Sequence, residues 1–404
     1  MKNFNIYLFV CLLFTMFACQ SEVGNVDGQE TFEIAELLDR SEKIQLGSEW
    51  DYVQNFYQER QLSIKKNADA HQEMLELAEL FIKEARVTGE HGHYYPAALE
   101  LTNYIISNTK SSDLVFQALV TKAGVQLSLH EFEEALVTGN KALAINKTSA
   151  QVYGVLVDCY VELGDYKKAV AMADQMISIK PDIRSYSRVS YLREIHGDLP
   201  GAEEALRLAV NSGFPGYEET AWAMLTLSEL YIDQKQYDKA ENVLEQILAT
   251  RKDYPFAIAA KAEIAYQKND LQKAEDLLNE AIDIIPEVGF YVQLAQIYKD
   301  QNRTGELPSL MTEIFLMLED DVAAGHNMNL EYAQIYIDLQ NDYDQAHEYA
   351  QREWIKRPSN VDVNRLMAEI SILKDNKEEA KKYVELASVI YSDNPKIKVL
   401  NSAL

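Results

Sequence analysis

Positive charge is scarce in this chain: 38 Lys and Arg stand against 64 Asp and Glu in 404 residues, a formal net charge of −26. A phosphate backbone is held by a clustered basic surface that releases counterions. Here Lys and Arg are scattered among acids, so nucleic acid is excluded as an expected partner, and the acidic excess reads as a solvated surface. Cysteine is almost absent, with only Cys11, Cys19 and Cys159. Cys159 stands alone beyond the N-terminal segment, which excludes a disulfide framework, and on an apolar face beside Leu156 and Tyr160 it reads as packing rather than as a nucleophile. Membrane-length hydrophobic runs are missing too: the apolar stretch Ile6 to Ala18 has 13 residues, short of the roughly 20 a spanning helix needs. No Ser-His-Asp or Cys-His order, glycine-rich phosphate loop or framed pair of acids occurs. The expectation is a protein that is not an enzyme and needs no cofactor.

What is present begins with Lys2 and that short apolar run, which ends in Met16-Phe17-Ala18-Cys19. Residues 1–19 resemble a bacterial lipoprotein-type signal peptide, although Met16 stands where the family usually has Leu and Phe17 where a smaller residue is usual. The resemblance implies lipidation of Cys19 and a membrane attachment through that N-terminal lipid. With Gln20 in place of the Asp that retains such proteins at the inner membrane, it implies an outer-membrane address, on the periplasmic or the surface side. An ordinary cleaved signal peptide is the other reading, and it too implies export. Residues 20–30 are small and polar, a flexible tether.

From residue 31 the apolar spacing is helical throughout. Two helices are predicted over 31–66, one from Thr31 to Leu46 and one from Glu49 to Lys66, as a cap on the open end of the repeating region. A pair at 69–88 and 96–108 comes next, separated by an enlarged turn containing His91 and His93, with Pro96 in the first turn of the second helix. Thereafter alanines mark a period: Ala135, Ala169, Ala202, Ala240, Ala274, Ala346 and Ala380, at steps of 34, 33, 38, 34, 72 and 34. Each stands four positions after a turn residue (Glu131, Asp165, Asp198, Gln236, Asp270, Asp342, Asn376), and the step of 72 hides a degenerate unit over 288–325.

The period, the turn, Tyr160 and Tyr166, Ala169 and Pro181 together resemble the tetratricopeptide repeat. The resemblance implies an all-α fold, a right-handed superhelical solenoid of antiparallel helix pairs over residues 67–404, with the first helix of each pair on the concave wall. It also implies a protein or peptide partner.

Residue by residue, the carboxylate clamp of some members is incomplete: Arg184 and Arg188 match its basic pair, but Val120, Gly124 and Val155 replace its Lys and Asn. Arg184 and Arg188, with Tyr191 nearby, therefore form either a contact for an anionic group or a set of internal pairs with Asp158, Glu162 and Glu194. Trp222, Glu229 and Tyr266 complete the candidate concave face. His91 and His93 beside Glu90 are the single metal-like group; with three donors on one short turn they are read as a surface turn, and no metal is assigned. The functional expectation is a lipid-anchored scaffold binding a protein partner in the cell envelope. The alternative is a nutrient- or glycan-binding lipoprotein resembling the SusD type, against which stands the lack of room for a non-repeat ligand face.

Overall fold

The structure, a computed structural model, describes residues 33–390 and 394–404. Cys19, the signal segment and the tether lie outside the described residues. The described part is all helix and turn, with no strand among those residues. After α1 (Gly47–Lys66) the described chain forms nine antiparallel pairs. They are α2–α3 (His71–Thr88, His91–Asn108), α4–α5 (Ser112–Ser128, Phe132–Ile145), α6–α7 (Ala150–Glu162, Tyr166–Ile179) and α8–α9 (Ile183–Ile195, Leu199–Ser212). There follow α10–α11 (Glu218–Asp233, Tyr237–Thr250), α12–α13 (Pro255–Gln267, Leu271–Ile282) and α14–α15 (Val288–Asp300, Leu307–Ala323). The last are α16–α17 (Asn329–Ile335, Tyr343–Lys356) and α18–α19 (Val361–Leu373, Lys377–Ala387), closed by α20 (Pro395–Ala403).

The turn inside each pair is built the same way. One residue takes a left-handed conformation, and these fall at Gly89, His130, Gly164, Gly197, Lys235, Asn269, Asn302, Asn341 and Asp375. Except in α14–α15, where the second helix begins only at Leu307, the next residue stands at the N-cap of the second helix. Asp165, Asp198, Asp270, Asp342 and Asn376 each accept the N–H three residues on, whereas Glu131 and Gln236, one carbon longer, make no such bond. The seven period alanines have no exposed surface, so the paired backbones meet there. In the degenerate unit the turn falls at Asn302, and Leu307 stands in place of the alanine, packed against a core of Leu310, Met311, Ile314 and Leu318.

First helices touch first helices in sequence (α4 on α6, α6 on α8, α8 on α10, α10 on α12), so they form the inner layer, and the second helices fan outside them. With that curvature the coil returns on itself, and residues 327–361 meet residues 129–166. The Asn327 N–H donates to the Leu129 carbonyl at 3.0 Å. Asn360 Nδ2 donates to the Glu162 carbonyl at 3.0 Å, and the Val361 N–H to Tyr166 Oη at 2.9 Å. Arg357, just past the end of α17, bonds Glu162 across the seam and Glu353 one turn back, and its guanidinium covers the Phe132 ring at 4.6 Å. Nearer the N-terminus, Glu49 joins Arg40 at 3.0 Å to Arg251 at 3.3 Å.

Two expectations are corrected. Residues 33–46 form no helix beyond a single turn at Glu42–Ile44. They lie as a strap because side chains of the helices beneath satisfy their backbone: Tyr94 Oη accepts the Leu38 N–H at 3.0 Å and Tyr57 Oη donates to the Ala35 carbonyl at 2.9 Å. Arg40 pins the strap through a buried fork to Glu84 at 2.8 and 2.7 Å. The enlarged turn after α2 is also absent. Gly89, left-handed at φ 78°, ends α2 at once, α3 begins at His91, and Pro96 lies inside the helix rather than in its first turn.

Candidate concave interface

The inner wall is where the sequence places the candidate contacts, and the structure distributes them unevenly. Arg188, on α8, is engaged internally. Its Nε donates to Asp158 Oδ1 at 2.8 Å and its Nη2 to Asp158 Oδ2 at 2.6 Å, with a further bond from Nε to the Gly154 carbonyl at 3.2 Å. Gly154 makes the room, since a Cβ there would lie 3.3 Å from the guanidinium carbon. Arg184 remains exposed, with Glu219 at 3.9 Å. Of the two readings open for these arginines, Arg188 follows internal pairing, and Arg184 stays exposed beside Glu219 rather than pairing with Asp158, Glu162 or Glu194.

Tyr191, Trp222 and Glu229 share the wall formed by α8 and α10. Trp222 is 52% exposed although its ring meets Phe256 edge-on at 5.8 Å, and Tyr191 is 42% exposed. Glu229 is open to water yet walled by protein, and burial together with the nearby Asp233 and Glu194 carboxylates pushes its carboxyl up to about 7. Burial and Asp233 raise Glu194 likewise. From the far turn of the coil, Asp362 on α18 and Lys396 on α20 both act on Glu194. Tyr266 stands apart on α12, its hydroxyl donating to Asp300 Oδ2 at 2.6 Å.

The feature that sequence reasoning missed is this convergence of Glu194, Glu229, Asp233 and Asp362. The pattern showed abundant acids. It did not show which of them meet, because Asp362 is brought there by the superhelical return. Cys159 is fully buried and its thiol is pushed up by burial, as a packing residue's would be.

His91 and His93 lie on the first turn of α3, not on a surface turn, and they face different neighbours. His93 Nε2 lies 2.8 Å from the Glu36 carbonyl oxygen of the strap. His91 stacks on Tyr95 at 5.2 Å and faces His326 at 5.7 Å between ring centres.

Tetratricopeptide repeat families match residues 200–253 in one case and 126–194 and 231–297 in another. The chain is a tetratricopeptide repeat protein. Such repeats serve as protein-interaction scaffolds, and the coil of helix pairs is one. Among curated relatives, cellulose synthase operon protein C of Pseudomonas fluorescens (strain SBW25) is 22% identical over 215 residues, 51% of this chain and 15% of that protein. The chain therefore spans about 15% of the length of the curated relative it matches. Among solved structures, the Cut9–Hcn1 hetero-tetramer of the APC/C aligns at 14% identity and TM-score 0.44, covering 88% of this chain and 66% of that one. The human IFIT1 dimer with PPP-AAAA aligns at 12% identity and TM-score 0.47, covering 88% and 96%.

Proposed function

We propose that this tetratricopeptide repeat chain is a non-catalytic scaffold that holds a cationic, partly apolar segment of a protein partner in its concave groove, tethered by a lipid on Cys19 in the bacterial cell envelope. The observation that carries the groove reading is the pairing on α10 of an exposed indole, Trp222, with Glu229, a carboxylate whose neighbours Asp233 and Glu194 are also acids. An aromatic anchor supplies contact area. Under-compensated carboxylates favour a Lys- or Arg-bearing segment over an anionic one. The anchor reading is supported by Met16-Phe17-Ala18-Cys19 alone.

Crosslinking in cells followed by identification of the captured envelope protein tests the groove. Trp222→Ala and Glu194→Gln/Glu229→Gln should each weaken capture about tenfold, while Arg184→Ala leaves it intact. Capture lost with Arg184→Ala and kept in the acid variant would overturn the cationic assignment in favour of an anionic segment. Radiolabelled palmitate incorporated into the wild-type chain and not into Cys19→Ala is the expected result for the anchor. Label that persists in Cys19→Ala would overturn it.

A further inference from the structure

The return of the coil brings His91, at the start of α3, against Asp321 and His326, at the end of α15 and the loop after it. One ligand atom from each of the three lies within 4.8 Å of the others. His326 is 8% exposed, and its Nδ1 is buried without a hydrogen-bond partner, 4.0 Å from Asp321 Oδ1. A buried imidazole nitrogen with no partner is costly unless something fills the position.

We propose that His91, Asp321 and His326 form a binding site for a divalent transition-metal ion of the zinc class, which clasps the first superhelical turn to the second.

Two imidazoles and a carboxylate are a donor set for zinc, and three protein ligands leave a fourth position for water. Zinc–nitrogen bonds of about 2.0–2.1 Å put tetrahedral donors about 3.3 Å apart. Closing from 4.8 Å to that spacing moves each atom by less than about 1 Å, within reach of side-chain rotation. The scaffold is held in place around the site. The His326 N–H donates to the Asp321 carbonyl at 3.0 Å, the Asn327 N–H is bonded to Leu129, and a Cβ on Gly92 would sit 3.2 Å from Ala324 Cβ. His91 and His326 also stand 5.2 and 5.7 Å from the aromatic ring of Tyr95, which closes one side to solvent. Charge balance points the same way. Asp320 and Glu331 both face Asp321, with His130 as the opposing group, and Glu331 has a buried carboxylate oxygen without a partner, so a cation offsets a local acidic excess.

The experiment uses the full chain freed of metal by chelation, titrated with zinc alone by calorimetry and with cobalt(II) alone by visible absorption. One equivalent should bind, cobalt should develop the intense visible bands of a four-coordinate site, and zinc should raise Tm by several degrees. His91→Ala should lower affinity at least tenfold and abolish both signals; it changes a half-buried residue in a helix and is expected to fold. His93→Ala should change neither. No saturable binding, binding retained in His91→Ala, or binding lost in His93→Ala would each overturn the site.

Discussion

Tyr166 and Ala169 lie three residues apart on α7 and serve two different kinds of contact. Ala169 has no exposed surface and lets α7 close on α6, in packing repeated pair after pair by small and aliphatic residues. Tyr166 instead offers its hydroxyl oxygen to the Val361 N–H of the next superhelical turn, where Arg357, Glu162 and Asn360 also meet. The pair interior is dry and redundant, because a methyl lost there is one contact among many. The seam, where Val361 and Ile390 also pack on the α6–α7 core, owes its polar contacts to a few groups. A solenoid of nearest-neighbour contacts alone would behave as a spring. Here the seam joins one turn of the spring to the next.

The largest expected effect comes from removing the residue on which the seam converges. Arg357→Ala leaves Glu353 and Glu162 without their guanidinium in a site where the Arg357 side chain is only 6% exposed. It should cost about 3–5 kcal/mol in urea unfolding, and the radius of gyration by small-angle scattering should rise. A cost below about 1 kcal/mol with no expansion would show that the turns do not lean on each other in solution.

The next effect isolates the seam from the turn chemistry. Gly164 and Lys235 both hold left-handed backbones, at φ 79° and 58°. Asn is at ease there, as Asn269, Asn302 and Asn341 show. Yet a Cβ on Gly164 would lie 2.4 Å from the Ser359 carbonyl carbon of the next turn. Gly164→Asn should therefore cost about 1–3 kcal/mol by overpacking, whereas Lys235→Asn should be neutral or slightly stabilising in the same thermal-melt assay. Equal outcomes would mean that only the local turn matters.

The smallest effect concerns what the coil encloses. The Glu229 carboxyl, raised to about 7, binds its proton more tightly in the folded chain than in the unfolded one. Its contribution to stability is therefore fully present below the unfolded value of about 4.5 and is lost as pH rises through about 7. Glu229→Gln should raise Tm at pH 8 relative to wild type and leave it unchanged at pH 4.5. Discounted for the water that reaches the groove, the gain is about 1 kcal/mol. In the Arg357→Ala background the gain should shrink if the far turn is what walls Glu229 in.

The same division governs what is legible from residues alone. Helix pairing is written in local spacing, so Asp165 as a cap and Ala169 as a contact point can both be read from their offsets. Even the hidden unit leaves a trace, because the step of 72 is divided by Asn302. The strap at 33–46 reads as a helix because Ile34, Leu37 and Leu38 have helical spacing; Tyr57 and Tyr94, which hold its backbone open, lie far along the chain. The partners of His91 stand more than 200 positions away, beyond the reach of any spacing rule. Arg188 is legible as a basic residue on the wall, but its capture by Asp158 depends on the crossing of α6 and α8, which no period encodes.

The distance along the chain between seam partners sets an order of events. Contacts within a pair link residues tens of positions apart and form early, whereas Glu162 must wait for Arg357, 195 residues later. Over that time the first turn stands complete in its pairs, with its upper edge, Leu129, Glu162 and Tyr166, still bare. The groove is therefore an open arc before the seam closes, and a partner segment present in that interval is laid in before the second turn arrives.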